Sequence, residues 1–112
     1  MILEPYYDAV RRLLANGDTG KIITSVGFGT SDASEAEALT DAVTVPVDSV
    51  NFADDPHKLQ VVWKLPRNQA NGLQIREIGL LTADGTMIAR RTRGLIEKTE
   101  DMELGDTWEL EV

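Results

Sequence analysis

The sequence predicts a mainly β domain: a small antiparallel β-sandwich or open barrel with one short N-terminal helix. Three observations predict it. Apolar and polar residues alternate over several runs of strand length, most clearly Leu59, Val61, Trp63 and Leu65 against Gln60, Val62 and Lys64. The connections between such runs are short and carry Gly, Pro, Asn and Asp. Residues 72–91 (GLQIREIGLLTADGTMIARR) hold two apolar-rich runs around Asp84-Gly85, among the strongest short-range hairpin signals. Sustained helical spacing occurs only near the N-terminus, so parallel βαβ units are not expected.

Taken in order, Pro5 suits the first turn of a helix, where its missing N–H costs nothing. Tyr6, Val10, Leu13 and Leu14 recur at helical spacing, with Asp8, Arg11 and Arg12 opposite. Asn16-Gly17 supplies the stop, giving a helix over about 5–15. This helix reads either as a docking element or as a cap on one end of a sheet. Asp18-Thr19-Gly20 is a turn, and residues 21–28 (KIITSVGF) have the β-branched content of a strand. Residues 33–39 suit one or two helical turns with Asp32 or Ser34 as N-cap. Residues 42–52 (AVTVPVDSVNF) alternate as a strand, and Pro46 makes it an edge strand or bends it.

Asp54-Asp55-Pro56 is a turn, and the alternating strand around Trp63 follows. Residues 66–72 form a polar loop leading to the hairpin. Within the hairpin the alternation of Leu73 and Ile75 breaks at Ile78, Leu80 and Leu81. That shift of phase near Glu77, Ile78 and Gly79 indicates either a β-bulge or a strand buried on both faces. Gly85 supplies the positive φ of the tight turn. Residues 95–99 suggest a short strand, 100–105 an acidic turn, and 107–112 (TWELEV) a last strand with Trp108, Leu110 and Val112 on one face. The sum is one helix and about six strands.

The length of 112 residues sets a single domain over 1–112, with the sheet from about 21 onwards. An apolar fraction of 42% is that of a globular chain, and only 5% is aromatic, so the core rests on Leu, Ile and Val. With no cysteine, disulfides, thiolate chemistry and cysteine-based zinc sites are excluded. A formal net charge of -8 repels phosphate, so no nucleic-acid partner is expected. No apolar run approaches the roughly 20 residues a membrane helix needs, so no membrane partner is expected. The start, Met1-Ile2-Leu3-Glu4-Pro5, lacks a secretory signal's basic and apolar regions, and the chain is expected to be used without Sec export.

Candidate chemistry is sparse. His57 is the sole histidine, in a polar turn, with no Gly-x-Ser-x-Gly elbow to serve. Gly27-Phe28-Gly29-Thr30 has the glycines of a phosphate loop but neither its Lys-Ser/Thr nor a tolerant neighbourhood, since acidic residues follow. The carboxylates Asp54 and Asp55, and Glu100, Asp101, Glu103 and Asp106, match no calcium loop and read as solvated charge. Trp63 and Trp108 sit on apolar strand faces and read as core. No catalytic residue, cofactor or metal ligand is assigned. The expected partner contacts are Tyr6 and Tyr7 on the helix and the basic cluster Arg90, Arg91 and Arg93, which suits an acidic partner patch or pairs within the chain.

Two segments carry a family resemblance. Residues 26–30 (VGFGT), a small polar run and 37–43 (EALTDAV) resemble the N-terminal region of bacteriophage tail-collar fibre proteins. Residues 72–81 (GLQIREIGLL) with 84–89 (DGTMIA) are the closer match, and the likeness spans roughly 21–112. Such fibre proteins continue into a repetitive shaft and a receptor-binding tip that have no counterpart in this sequence, and a helix here precedes the first strand. The resemblance implies a non-enzymatic tail or baseplate component of a phage or prophage, assembled in the bacterial host cytoplasm and placed in the virion tail. Its implied partners are other tail or baseplate proteins, or further copies of itself. A small carbohydrate- or ligand-binding β module is the alternative, and it would show an exposed Trp63 or Trp108 beside the acidic loop.

Overall fold

The chain opens with α1, Glu4–Asn16, with Pro5 in its first turn. It ends at Gly17, whose left-handed φ of 61° lets its N–H reach the Leu13 carbonyl at 3.0 Å. A computed structural model of the protein describes residues 2–111. Tyr6 and Ala9 are the buried residues of α1, with Val10 and Leu13 half-buried beside them. Leu14, expected on the same stripe, is instead 84% exposed, because it falls one helical step beyond that face. Just before the helix, Ile2 bridges to Ala89, and the Leu3 N–H donates to the Ile88 carbonyl at 2.9 Å. The helix therefore serves as a cap on the sheet margin. Among the described residues no helix is long and apolar enough to cross a membrane.

Seven strands follow among the described residues: β1 Ile23–Gly29, β2 Val43–Pro46, β3 Ser49–Phe52, β4 Lys58–Leu65, β5 Gln74–Thr82, β6 Met87–Glu97 and β7 Leu104–Glu111. They form two antiparallel sheets, β2-β1-β5-β6 and β3-β4-β7. The mainly β sandwich class read from the alternation is what the chain adopts.

Several elements differ from expectation. Asp18 caps a 3-10 turn at Thr19–Lys21 by accepting the Gly20 N–H at 3.0 Å, so β1 starts at Ile23 and not at residue 21. The single strand expected over 42–52 is two strands in different sheets. Pro46 ends β2 with no N–H to extend the ladder, and the chain crosses at Val47-Asp48 to start β3. Residues 33–39 form no helical turn; their backbone runs irregularly over the first sheet. Neither Asp32 nor Ser34 caps a helix there. Of the short strand expected at 95–99, residues 95–97 are the end of β6 and 98–99 lie beyond it. Val112, expected to share the Trp108 face, lies outside the described residues.

The phase shift in β5 coincides with double-sided burial from Glu77 to Leu80, with a register irregularity directly before Glu77 and none within Glu77, Ile78 and Gly79. Pairing runs unbroken through Glu77, Ile78 and Gly79 on both sides, to Gly29, Phe28 and Gly27 of β1 and to Thr92, Arg91 and Arg90 of β6. Register shifts fall either side of that stretch, between Ile75 and Glu77 and between Leu80 and Leu81. They put the surplus residues on β6. The core between the sheets combines Val26, Phe28, Ile75, Ile78 and Leu80 with Val61, Trp63, Leu65, Trp108 and Leu110. Phe28 meets Trp63 edge-on across the interface, with ring centroids 5.2 Å apart. Such a pair contributes about 1 kcal/mol beyond its area.

The hairpin tip is tied to the start of the domain. The Gly85 N–H donates to the Thr82 carbonyl at 2.9 Å, with Gly85 at φ 86°. The Ala83 and Asp84 N–H groups donate to the Ile22 and Gly20 carbonyls at 2.9 and 3.0 Å. Asp84 accepts from Lys21 Nζ at 2.6 Å, from the Thr82 hydroxyl, and from the Thr86 N–H at 3.2 Å. These donors, Lys21 foremost, hold its carboxyl well below the usual carboxylate range. A depressed folded pKa means a stabilisation fully present above the unfolded value of about 3.9 and lost as pH falls through the folded value. Asp84→Asn should thus lower the melting temperature at neutral pH, and the gap to the parent should shrink as pH drops below about 4. Thermal melts across pH read this directly; a gap constant down to acid pH would refute the assignment.

Candidate functional site

The structure divides the predicted contact residues into two groups. Tyr6 is buried against the core cluster, its ring edge-on to Tyr7 at 5.3 Å, and Tyr7 is exposed. Arg90 is 4% exposed and forms a 2.8 Å ion pair with Glu77, itself fully buried. Tyr6 and Arg90 were expected to offer contact surface; their burial removes both from it. The basic cluster is therefore not one patch. Alternation along β6 sends Arg90 to one face and Arg91 to the other. Arg91 stacks over Trp108, 4.5 Å from the ring centroid, and lies 3.7 Å from Asp106. Arg93 is exposed and donates to the Gly94 carbonyl at 3.3 Å. Tyr7, Arg91 and Arg93 remain as accessible contact candidates.

The buried pair organises the loop over 30–42. Glu77 Oε1 accepts from Arg90 Nε, while Oε2 accepts the backbone N–H of Ser31 at 3.0 Å and of Thr40 at 2.9 Å. One carboxylate oxygen thus clamps both ends of the loop, and the Thr30 N–H closes the neck onto the Thr40 carbonyl at 3.1 Å. The Arg90 guanidinium donates to the carbonyls of Ala33 at 2.9 Å and Ser31 at 3.4 Å. These bonds hold the backbone that local propensity would have coiled into a helical turn. Leu39 lies over Gly27 and Gly79: a Cβ on Gly27 would come within 2.5 Å of Leu39 Cδ1, and one on Gly79 within 2.5 Å of Met87 Sδ. A Cβ on Gly29 would collide with the Glu77 carboxylate. These glycines make space within paired strands, Gly27 and Gly29 in β1 and Gly79 in β5.

Sequence reasoning read the glycines and the hairpin but missed this hub. The available signal was a glutamate inside an isoleucine-rich strand and an arginine directly after Met87-Ile88-Ala89, both long polar side chains in runs otherwise fit for burial.

The remaining candidates stay apart. His57 is exposed in its turn, its backbone N–H donating to Asp55 Oδ1 at 2.8 Å. Asp54, Asp55, Glu100, Asp101, Glu103 and Asp106 are exposed. Among the described residues no three His, Asp or Glu side chains converge as a metal site. Trp63 and Trp108 are buried in the core, so neither offers a face for sugar stacking.

What the surface offers is sheet margin. β2 and β6 bound one sheet, β3 and β7 the other. Beside β3 an apolar groove of about 330 Å³ opens beneath α1, lined by Val10, Leu13, Ile22, Val50 and Leu59 among others. Phe52, at the end of β3, is 91% exposed.

Glu77→Ala leaves Arg90 buried without its carboxylate and should cost about 3–5 kcal/mol in urea unfolding. The milder Glu77→Gln should release the loop while the sandwich stays folded. Cleavage by a glutamyl endopeptidase after Glu35 and Glu37 should then accelerate, with cleavage after Glu100 and Glu103 unchanged. Equal rates at Glu35 and Glu37 in parent and variant would show that the carboxylate does not hold the loop.

Comparison of the chain with protein-family models, with curated proteins and with solved structures finds no match.

Proposed function

We propose that this protein is a non-enzymatic structural component of a phage or prophage tail, a fibre or baseplate attachment or assembly part acting through protein–protein contacts. The observation that carries the reading is a convergence in space. The two segments that resemble tail-collar fibre proteins lie far apart in sequence, yet they are neighbouring strands in register, Gly27 opposite Gly79, Phe28 opposite Ile78 and Gly29 opposite Glu77. Their distinctive residues form one mechanical unit: the glycines make room, and Glu77 ties the polar loop of the first segment to the hairpin of the second.

The rest of the molecule suits that role. A two-sheet frame with a helix closing one margin is a rigid body, and its accessible features are strand edges and exposed apolar side chains. The partners under this reading are other tail or baseplate proteins, or copies of the chain in a symmetric ring. Burial of Trp63 and Trp108 leaves the carbohydrate-binding alternative without its aromatic platform.

Mass spectrometry of purified tail particles from an induced lysogen or phage carrying this reading frame tests the proposal. The chain should co-purify in fixed stoichiometry with tail proteins, and its reading frame should sit among tail and baseplate genes. Absence from intact tails together with a metabolic gene neighbourhood would overturn it.

A further inference from the structure

We infer that the free margin of β3 is a strand-addition site for an extended segment of a partner protein, apolar at alternate positions and basic at both ends. The inference rests on the protein–protein reading above and specifies where and how contact is made.

The four sheet margins differ. An exposed strand edge presents unpaired backbone donors and acceptors, and soluble proteins normally obstruct it with charge, proline or cover. β2 carries Pro46. β6 is covered at Ile88 and Ala89 by the pairing of Ile2 and Leu3, and beyond that it carries Arg91, Arg93 and Glu97. β7 carries Asp106, Glu109 and Glu111. β3, Ser49-Val50-Asn51-Phe52, has no charge, no proline and, among the described residues, no strand beyond it. It also ends in Phe52, at 91% the most exposed of the exposed large apolar side chains, with Val50 39% exposed beside it.

The groove extends this edge inwards. Val50 pairs with the buried Val61 and Phe52 with Leu59, so both lie on the face of β3 that turns towards the other sheet. Val50 and Leu59 also line the apolar groove beneath α1, together with Val10, Leu13 and Ile22. The one charged residue in that lining is Lys21, whose ammonium is held by Asp84. A strand added about 4.8 Å beyond β3 would continue the ladder and turn alternate side chains towards this groove. Main-chain bonds then supply affinity, and the groove selects apolar side chains.

Charge selects the occupant. Asp48 precedes β3, Asp54 and Asp55 follow it, and all three are exposed. The nearest lysine in the chain, Lys58, faces Glu109 at 3.5 Å across the second sheet. Both ends of the edge are thus acidic, on a chain of net charge -8. A second copy pairing antiparallel through β3 would bring Asp48 of one chain beside Asp54 of the other, and like charges there oppose it. A partner segment with Lys or Arg at both ends meets the opposite condition.

The test uses the full chain and a synthetic peptide of about ten residues, alternating valine and threonine between paired lysines, with binding followed by amide chemical shifts and calorimetry. The lysine-flanked peptide should bind, with shifts centred on residues 49–52 and on the groove. A glutamate-flanked peptide, and a lysine-flanked one with its pairing amides N-methylated, should each bind at least about tenfold more weakly. Phe52→Lys, which places a charge on an already exposed position, should weaken binding about tenfold with an unchanged melting temperature. No binding of the lysine-flanked peptide, or equal binding of the N-methylated one, overturns strand addition. A concentration-dependent dimer in light scattering that Phe52→Lys abolishes would assign the edge to a second copy and overturn the partner inferred here. These outcomes concern the edge alone, whereas tail membership stands or falls on the particle composition.

Discussion

The buried Glu77–Arg90 pair is the constraint on which the first sheet depends. Removing two such charges from water costs several kcal/mol per ion, and attraction alone seldom compensates. Here every oxygen of the carboxylate has a donor: Arg90 on one, Ser31 and Thr40 on the other. The guanidinium in turn donates to the Ala33 and Ser31 carbonyls. An apolar pair of the same volume would avoid the desolvation, but it would not hold the loop's backbone groups. The physical value of the pair is thus one of arrangement: it selects a single path for residues 30–42 and a single register between β1, β5 and β6. The glycines at 27, 29 and 79 follow from it, because a side chain on any of them would displace Leu39, Met87 or the Glu77 carboxylate.

The same device recurs at the far end of the hairpin. Lys98 is fully buried, and its ammonium donates to the Arg67 carbonyl at 3.2 Å, Asn71 Oδ1 at 3.0 Å and the Thr99 carbonyl at 2.9 Å. Three donors meet three neutral acceptors, so the charge is solvated by the loop it holds. Its backbone also pairs with the segment before β5, through Gly72 N–H to Lys98 O at 2.8 Å and Lys98 N–H to Leu73 O at 3.0 Å. With Lys21 on Asp84 at the hairpin tip, three polar anchors fix three loops, while apolar packing between the sheets holds the layers together. The two tasks are separated in space.

This separation explains what the sequence disclosed. Strands such as β4 and the 72–91 hairpin were legible because alternation and Asp-Gly turn chemistry are local signals. The helix was legible through Pro5 and Gly17. The loop at 31–40 was not, since helical propensity there is overridden by a glutamate 37 or more residues away in sequence. The crossing at Val47-Asp48 was half legible: Pro46 marked a bend, but nothing local says that a bend becomes a change of sheet. Arg90, Arg91 and Arg93 read as one cluster because sequence shows proximity along the chain. Alternation sends neighbouring residues to opposite faces, and only the burial of both faces of β5 and the adjoining part of β6 reveals that Arg90 is interior. Tyr6 failed in the same way, its ring turned inward where Tyr7 faces out.

The margins of the two sheets carry the argument from fold to contact. A net charge of -8 adds a repulsion between copies of the chain that falls off within about 10 Å at moderate salt. With that repulsion, an edge without charge of its own is less hazardous than it would be on a neutral protein. It can stay neutral itself, so that backbone pairing and apolar fit act without a local penalty. Acidic residues at its ends then discriminate among arrivals: they oppose a second copy and favour a basic segment. Fold and charge divide the work of recognition, the sheet supplying a general affinity for extended chain and the flanking carboxylates deciding which chain is admitted.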